Sequence, residues 1–355
     1  MARKPGAVTT KRVEPDTVPA PATRRTPTLE TVARLAGVSR ATVSRVVNGD
    51  TRVAERLRVA VDEAIQVLGF VPNAAARSLA TRRTGSVALI MREPADFGVT
   101  DAYLSRMVVA LSHALTDVDL QLVVLMAAGG EADARVAAYA RSHVDGVFLI
   151  SVHDSDELPS QLAEWGVPLV IGGRTSQRLP GATSVDVDNV AGAGLAAHRL
   201  LERGRHRLGL ITGPVDTCSS NDREAGFRRE LEAAGVPLDH VAHGDWTAAS
   251  GERAMRGLLD EAPDLDGVFA ASDLMAMGAL HAAAQAGRRV PEDLAVIGFD
   301  DIDMAAHTAP PLTTVRQPST PQARRMVEIL VDKIAGKVTP ASEVLDVELV
   351  GRDSA

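Results

Sequence analysis

Between Thr28 and Gly49 the chain reads Thr-Leu-Glu-Thr-Val-Ala-Arg-Leu-Ala-Gly-Val-Ser-Arg-Ala-Thr-Val-Ser-Arg-Val-Val-Asn-Gly, and its reactive side chains fall on one stripe. Ala41, Ser44, Arg45 and Asn48 recur at helical spacing. A guanidinium fork such as that of Arg45 takes both acceptors of a guanine edge or clamps a phosphate. A methyl such as that of Ala41 meets the thymine methyl, and the Ser44 hydroxyl bonds either base or backbone. This is chemistry for reading duplex DNA from the major groove; a solvated helical hairpin is the bland alternative.

Two short helices position the stripe. The first turns Leu29, Val32, Ala33 and Ala36 inward, with Thr28 as N-cap and Gly37 as stop. The second is capped by Ser39 and packs through Val43, Val46 and Val47, which completes a helix-turn-helix. A third helix over about 53–68 presents Leu57, Ala60, Val61, Ala64, Ile65 and Leu68 on one face and ends at Gly69. Three helices around one small core make an all-α head over residues 28–72. Residues 73–85 follow as a hinge and linker; Asn73 to Thr81 favours helix but is too short to hold it alone in water.

Charge divides the chain in the same place. Up to Gly85 it carries 15 Lys and Arg against 7 Asp and Glu, a net of +8, whereas the remainder carries 23 against 39, a net of −16. Affinity for phosphate depends on the local patch, so an overall net charge of −8 does not exclude nucleic acid. Residues 1–27 offer no core and read as a disordered basic arm, without the apolar stretch of a signal peptide. No run approaches the apolar length of a membrane span. One cysteine, Cys218, excludes an intrachain disulfide framework and suits a reducing cytoplasm.

Beyond Gly85, apolar runs alternate with helical segments. Strands at 86–91, 120–126, 146–151 and 168–172 interleave with helices near 101–116, 131–142 and before Trp165. The rhythm then repeats, with helices at 190–203, 221–234, 248–260 and 274–286 between strands at 208–212, near Val241, at 268–271 and at 295–299. This predicts an α/β body, residues 86–355, of two parallel-sheet lobes with a ligand cleft at the carboxyl ends of their strands. The segment Gly192-Ala-Gly-Leu-Ala-Ala197 fits the loose dinucleotide fingerprint, which keeps an NAD-linked enzyme as an alternative. Against it, Asp188 or Asn189 is the better helix cap, so both glycines fall inside the helix, where they allow close packing. No Ser-His-Asp, phosphate-loop or metal-ligand spacing joins the scattered His153, His198, His206 and His243, so neither an enzyme nor a metal or cofactor site is predicted.

Val-Ser-x-x-Thr-Val-Ser-Arg-Val-Val-Asn from Val38 and Gly-Phe-Val-Pro-Asn-x-x-Ala-x-x-Leu from Gly69 closely resemble the recognition-helix and hinge signatures of the lactose-repressor (LacI) family. The resemblance spans nearly the whole chain after the arm. It implies DNA contacts at Thr28, Ser39, Arg40, Ala41, Thr42, Ser44, Arg45 and Asn48 and, in the hinge, at Asn73, Arg77 and Leu79, with Leu79 the wedge that kinks the minor groove. It further implies a body like a periplasmic sugar-binding protein, crossed three times by the chain with a last crossover near Thr313–Gln317. The first lobe would hold about 86–185 and 316–340, and the second about 186–315 and the C-terminal segment. Thr31 departs from the acid of many relatives, which predicts a slightly weaker start to the first helix.

The same resemblance assigns the effector site. Sugars call for paired polar side chains and an aromatic face, and the family motifs place Arg223 in Ser219-Ser-Asn-Asp-Arg-Glu-Ala-Gly-Phe227, Asp300 in Gly298-Phe-Asp-Asp301 and Trp246 in Gly244-Asp-Trp-Thr-Ala. Phe97 and Tyr103 would line the other wall, and Ser272, Asp273 and Phe299 belong to the same candidate set. Ser272 replaces a long amide, and Gly172-Gly173-Arg174 substitutes a cation where some sugar responders carry an acid, a pattern similar to cellobiose and β-glucoside responders. The implied protein is a homodimeric cytoplasmic transcriptional repressor that binds palindromic operator DNA and answers allosterically to a mono- or disaccharide. Whether the effector releases DNA or secures it stays open.

Overall fold

The protein is described by a computed structural model covering residues 27–47, 49–50, 52–71, 83–92, 101–127 and 129–355. It divides into two units, a head within Met1–Arg77 and a body within Ser78–Ala355.

The head holds α1 (Leu29–Ala36), α2 (Arg40–Val47) and α3 (Glu55–Leu68). Val32, Val43 and Val61 are fully buried, and Ala33, Val46, Ala64 and Phe70 close the core around them. The Thr28 hydroxyl accepts from the Thr31 backbone N–H at 3.4 Å, and the Thr31 hydroxyl accepts from the Thr28 N–H at 2.7 Å. The expected weak start of α1 is therefore corrected: a threonine hydroxyl closes the capping box that an acid would close. Gly37 ends α1 in the left-handed region, at φ 66°, where a side chain would be strained. Ser39 caps α2 by accepting from the Thr42 N–H at 3.1 Å. The third helix begins at Glu55, later than its periodicity predicts, because Asp50 accepts from the backbone and guanidinium of Arg52 and holds a turn there.

The body runs β1 (Ser86–Met91), α4 (Ala102–Thr116), β2 (Gln121–Met126), α5 (Glu131–His143), β3 (Gly146–Ile150), α6 (Leu158–Glu164), β4 (Leu169–Gly172) and β5 (Thr183–Val187). It continues with α7 (Asn189–Glu202), β6 (Leu208–Thr212), α8 (Cys218–Ala233), β7 (His240–His243), α9 (Ala248–Glu261), β8 (Gly267–Ala270), α10 (Asp273–Gln285), β9 (Ala295–Asp300) and β10 (Thr313–Arg316). Last come α11 (Ser319–Ile334), β11 (Ser342–Leu345) and β12 (Glu348–Val350).

Two six-stranded sheets result, ordered β2-β1-β3-β4-β5-β11 and β7-β6-β8-β9-β10-β12. All pairs are parallel except β10 with β12. β3 and β6 read as continuous apolar runs because both faces are covered. In the first lobe Met107, Leu111, Met326 and Leu330 cover one face and Val136, Ala140, Leu158 and Leu162 the other. In the second lobe Met255, Leu258, Met275 and Ala279 lie opposite Ala197, Leu200, Phe227 and Leu231.

The chain passes between sheets after β5, after β10 and between β11 and β12. The crossing near Thr313–Gln317 is thus the second and not the last. The third, between Leu345 and Glu348, escaped the sequence because β11 pairs with β5 through a short strand with no buried residue. Gly192 and Gly194 lie inside α7, which is capped by Asp188, so the strand-ending turn of a dinucleotide site is absent from this segment. A Cβ on Gly192 would meet the Phe299 ring at 2.8 Å, whereas one on Gly194 would find nothing nearer than 4.0 Å. The tight contact between α7 and α8 falls instead at Gly226, where a Cβ would lie 2.1 Å from the Val190 carbonyl oxygen.

Candidate functional site

In both sheets the strand order reverses at the first strand, and the cleft opens at the carboxyl ends beside that reversal. It encloses about 790 Å³, its open mouth included. From the first lobe come Asp101 and Tyr103 at the start of α4, Ile150–Val152 after β3, Gly172–Arg174 after β4, and Asp186 and Val187 ending β5. From the second come Thr217–Ser219 and Arg223 of α8, Trp246 after β7, Ser272 after β8 and Asp300 ending β9. Gln317 and Gln322 enter beside the second crossing.

Arg223 is the hub of the second lobe's wall, only 5% exposed. Its Nε donates to Asn189 Oδ1 at 2.8 Å and its Nη1 to the Ala271 carbonyl at 2.5 Å. The guanidinium lies 3.6 Å from the Phe299 ring centroid, 5.6 Å from the indole of Trp246, and 3.8 Å from Asp300 Oδ1. Burial lowers the Arg223 pKa, opposed by Asp300. The flat cation is therefore fixed between an aromatic ring beneath it and a carboxylate beside it, as recognition of paired hydroxyls needs.

Asp300 ends β9 at φ 125°, a backbone strain of the kind that collects at ligand sites. It accepts from Gln317 Nε2 at 2.6 Å. Burial pushes its carboxyl up to about 6; Arg223 pulls the other way and Asp101 raises it further. Trp246 also has positive φ, 67°, within a turn in which the Asp245 carboxylate accepts from the Thr247 N–H at 3.1 Å and the Asp245 backbone N–H donates to Ser250 Oγ at 3.0 Å. Its ring lies against the backbone after β6, where a Cβ on Gly213 would come within 2.2 Å of it. The Tyr103 hydroxyl stands 3.5 Å from Gln322 Oε1, and burial raises its pKa. Asp186, buried and with its pKa raised chiefly by burial, accepts from the Val187 N–H at 2.8 Å and from Asn189 Nδ2 at 3.2 Å.

Tyr103, Gly173, Arg174, Arg223, Trp246, Ser272 and Asp300 are thus brought to one cleft. Two further candidates are corrected, because Asp273 and Phe299 are fully buried behind its wall. Asp273 accepts from Thr314 Oγ1 at 2.5 Å and from the Ile302 N–H at 2.9 Å, which holds the turn beyond Asp300. Phe299 is the floor under Arg223. Ser272 serves first as the cap of α10, accepting from Met275 N at 3.3 Å. Phe97 lies outside the described residues. Sequence reading missed Asp101, Asp186, Asn189, Gln317 and Gln322; for Asp101 and Asn189 a polar residue at a predicted helix start was the available signal, whereas Gln317 and Gln322 lie where no element was predicted.

In the head, Ala41 and Arg45 are exposed and Ser44 is half-buried on the outer side of α2. Thr42 shares a 2.9 Å hydrogen bond with Ser39, and Arg40 pairs with Glu30 at 3.1 Å. Asn48, Asn73, Arg77 and Leu79 lie outside the described residues. Among the described residues no helix is long and apolar enough to cross a membrane, and no group of three His, Cys, Asp or Glu could hold a metal.

A helix-turn-helix head on the same chain as a two-lobed small-molecule receptor defines a class, the ligand-responsive transcriptional regulator. Residues 28–73 match the bacterial regulatory proteins of the lacI family, and residues 197–355 match the periplasmic binding protein-like domain. The chain is 46% identical to the HTH-type transcriptional regulator CelR of Thermobifida fusca, over 93% of this chain and 99% of that one. It is 32% identical to the transcriptional repressor PurR of Photorhabdus laumondii, over 89% and 93%. Among solved structures it resembles a CelR–cellobiose complex (TM-score 0.74, 44% identity, covering 93% of this chain and 100% of that chain). It also resembles the lac repressor dimer bound to operator and the anti-inducer ONPF (TM-score 0.82, 28% identity, 92% and 98%). The chain belongs to the lacI family of transcriptional regulators.

Proposed function

We propose that the protein is a homodimeric, cytoplasmic repressor of carbohydrate-utilisation genes, released from a palindromic operator when a neutral β-linked disaccharide of the cellobiose type fills the cleft. The carrying observation is the set formed by the Arg223 guanidinium, the Asp300 carboxylate with Gln317 on it, and the Trp246 indole, which together meet vicinal hydroxyls and an apolar ring face. Asp101, Asp186 and Asp300 line the same cleft and disfavour an anionic ligand such as a sugar phosphate. The likeness to CelR and to its cellobiose complex supports the choice of sugar. Arg45, Ser44 and Ala41 read base edges in this proposal, while Arg40 and the hinge residues Asn73, Arg77 and Leu79 engage backbone and minor groove.

Release requires the sugar to favour the arrangement that does not fit DNA, and operator must then weaken sugar binding by the same factor. Calorimetry with cellobiose, glucose and glucose 6-phosphate tests the site. Cellobiose should bind and glucose 6-phosphate should not; the reverse order would overturn the assignment.

A further inference from the structure

Arg174 entered as a cation available to the ligand, yet its guanidinium is already engaged across the cleft. Its Nε donates to Asp222 Oδ2 at 3.0 Å and its Nη2 to Asp222 Oδ1 at 2.5 Å, a two-toothed pair. Arg174 follows β4 of the first lobe, whereas Asp222 belongs to α8 of the second, so the pair joins the lobes. Next to it the Asp154 N–H donates to the Asp216 carbonyl at 2.8 Å and His153 Nδ1 meets Asp216 Oδ1 at 3.0 Å, again between lobes.

A second carboxylate competes for the same cation. Asp186 Oδ2 stands 3.7 Å from Arg174 Nε, on β5 of Arg174's own sheet. The base of the arginine is fixed there too, since the Gly173 N–H donates to the Val185 carbonyl at 2.9 Å. One guanidinium therefore has two acceptors, one on each lobe, and its stem is anchored on the first.

We infer that Arg174 is the moving part of an interlobe clasp, bridging to Asp222 when the cleft is shut and falling back on Asp186 when it opens. Asp222 is then a positioning residue for the effector response and not a ligand contact. This rests on the sugar-responsive reading above. If sugar binds only the shut form and operator only the open one, the fold-loss in sugar affinity multiplied by the fold-gain in operator affinity equals the fold-change in the shut-to-open ratio.

The test uses the full-length protein, cellobiose titrated by calorimetry and operator titrated without sugar. Asp222→Asn should give a product of about three to ten, because the pair is bidentate but partly exposed. Asp186→Asn removes the open-state partner and should weaken operator binding, a readout that the place of Asp186 in the cleft lining does not confound. A product of one for Asp222→Asn, or operator affinity that moves the same way in both variants, overturns the clasp.

A readout without sugar keeps the clasp separate from the sugar reading. Cys218, the one cysteine of the chain, is buried with its Sγ 3.5 Å from Arg174 Nη1, so its alkylation rate reports on the shut form. Asp222→Asn should speed alkylation and Asp186→Asn should slow it. Removing either negative charge would by electrostatics alone favour the thiolate and speed both; faster alkylation in both variants therefore sinks the clasp, whatever cellobiose does. Wild-type protein that alkylates as the clasp requires but binds no cellobiose overturns the sugar reading instead.

Discussion

In the proposed site the Asp300 carboxyl should make sugar affinity depend on pH, with a sign and size that follow from its surroundings. It is 7% exposed, and burial raises its pKa to about 6 against the pull of Arg223 at 3.8 Å. Hydroxyl donors of a sugar bind the ionised form best, since a protonated acid offers one of its oxygens as a donor instead. The ionised fraction falls from nearly all at about pH 8 to about one-tenth at pH 5, so the association constant should fall about tenfold across that range. Sugar binding near pH 6 should release protons for the same reason. For the unliganded body the sign is opposite: a carboxyl whose folded pKa is raised contributes stability at low pH that is lost as pH rises through about 6. Calorimetric titration of DNA-free protein with cellobiose at several pH values reads the affinity, and Asp300→Asn should bind weakly with a flat profile. A flat profile in the wild type, or the same slope in Asp300→Asn, would refute Asp300 as the titrating acceptor.

Other perturbations act on the head and the body separately. Arg45→Ala should weaken operator binding by about 5- to 150-fold, the worth of one bidentate base contact, while leaving the cellobiose affinity unchanged in calorimetry. Trp246→Ala removes the aromatic face and should reduce cellobiose affinity more than it reduces operator affinity in anisotropy titrations; equal losses would mean that the indole is only structural. Arg223→Ala strands Asn189 Oδ1, the Ala271 carbonyl and the Asp300 carboxylate, so alongside lost sugar binding it should destabilise the body by about 3–5 kcal/mol. An unchanged melting temperature would contradict that buried role.

The head was legible because its signals are local. Thr28, Ser39 and the valines at 43, 46 and 47 act within one or two turns of where they stand, and the structure uses them as caps and core. The repeated strand-helix rhythm likewise exposed both lobes, since doubly covered strands are apolar throughout. What escaped depends on long-range pairing. β11 and β12 are short and half-exposed, and only their hydrogen-bonded neighbours β5 and β10 make them strands. Within the cleft, motif positions located Arg223, Trp246 and Asp300 but could not tell lining from support. Asp273 and Phe299 stand next to cleft residues in sequence and point behind them in space. Asp186, Asn189 and Gln317 lie far from the motifs in sequence and reach the cleft only through strand order and crossing points. Asp222 lies within a quoted motif, but its pairing with Arg174, 48 residues away on the other lobe, was invisible in the sequence.

The most direct measurement is the affinity of the full-length protein for a duplex selected from a random-sequence pool, taken by fluorescence anisotropy with and without saturating cellobiose. A two-lobed receptor that controls a DNA-reading head predicts a palindromic selected site, weaker binding when sugar is present, and an equal reciprocal weakening of sugar binding by the duplex. Sugar that binds the body while operator affinity stays the same would contradict it.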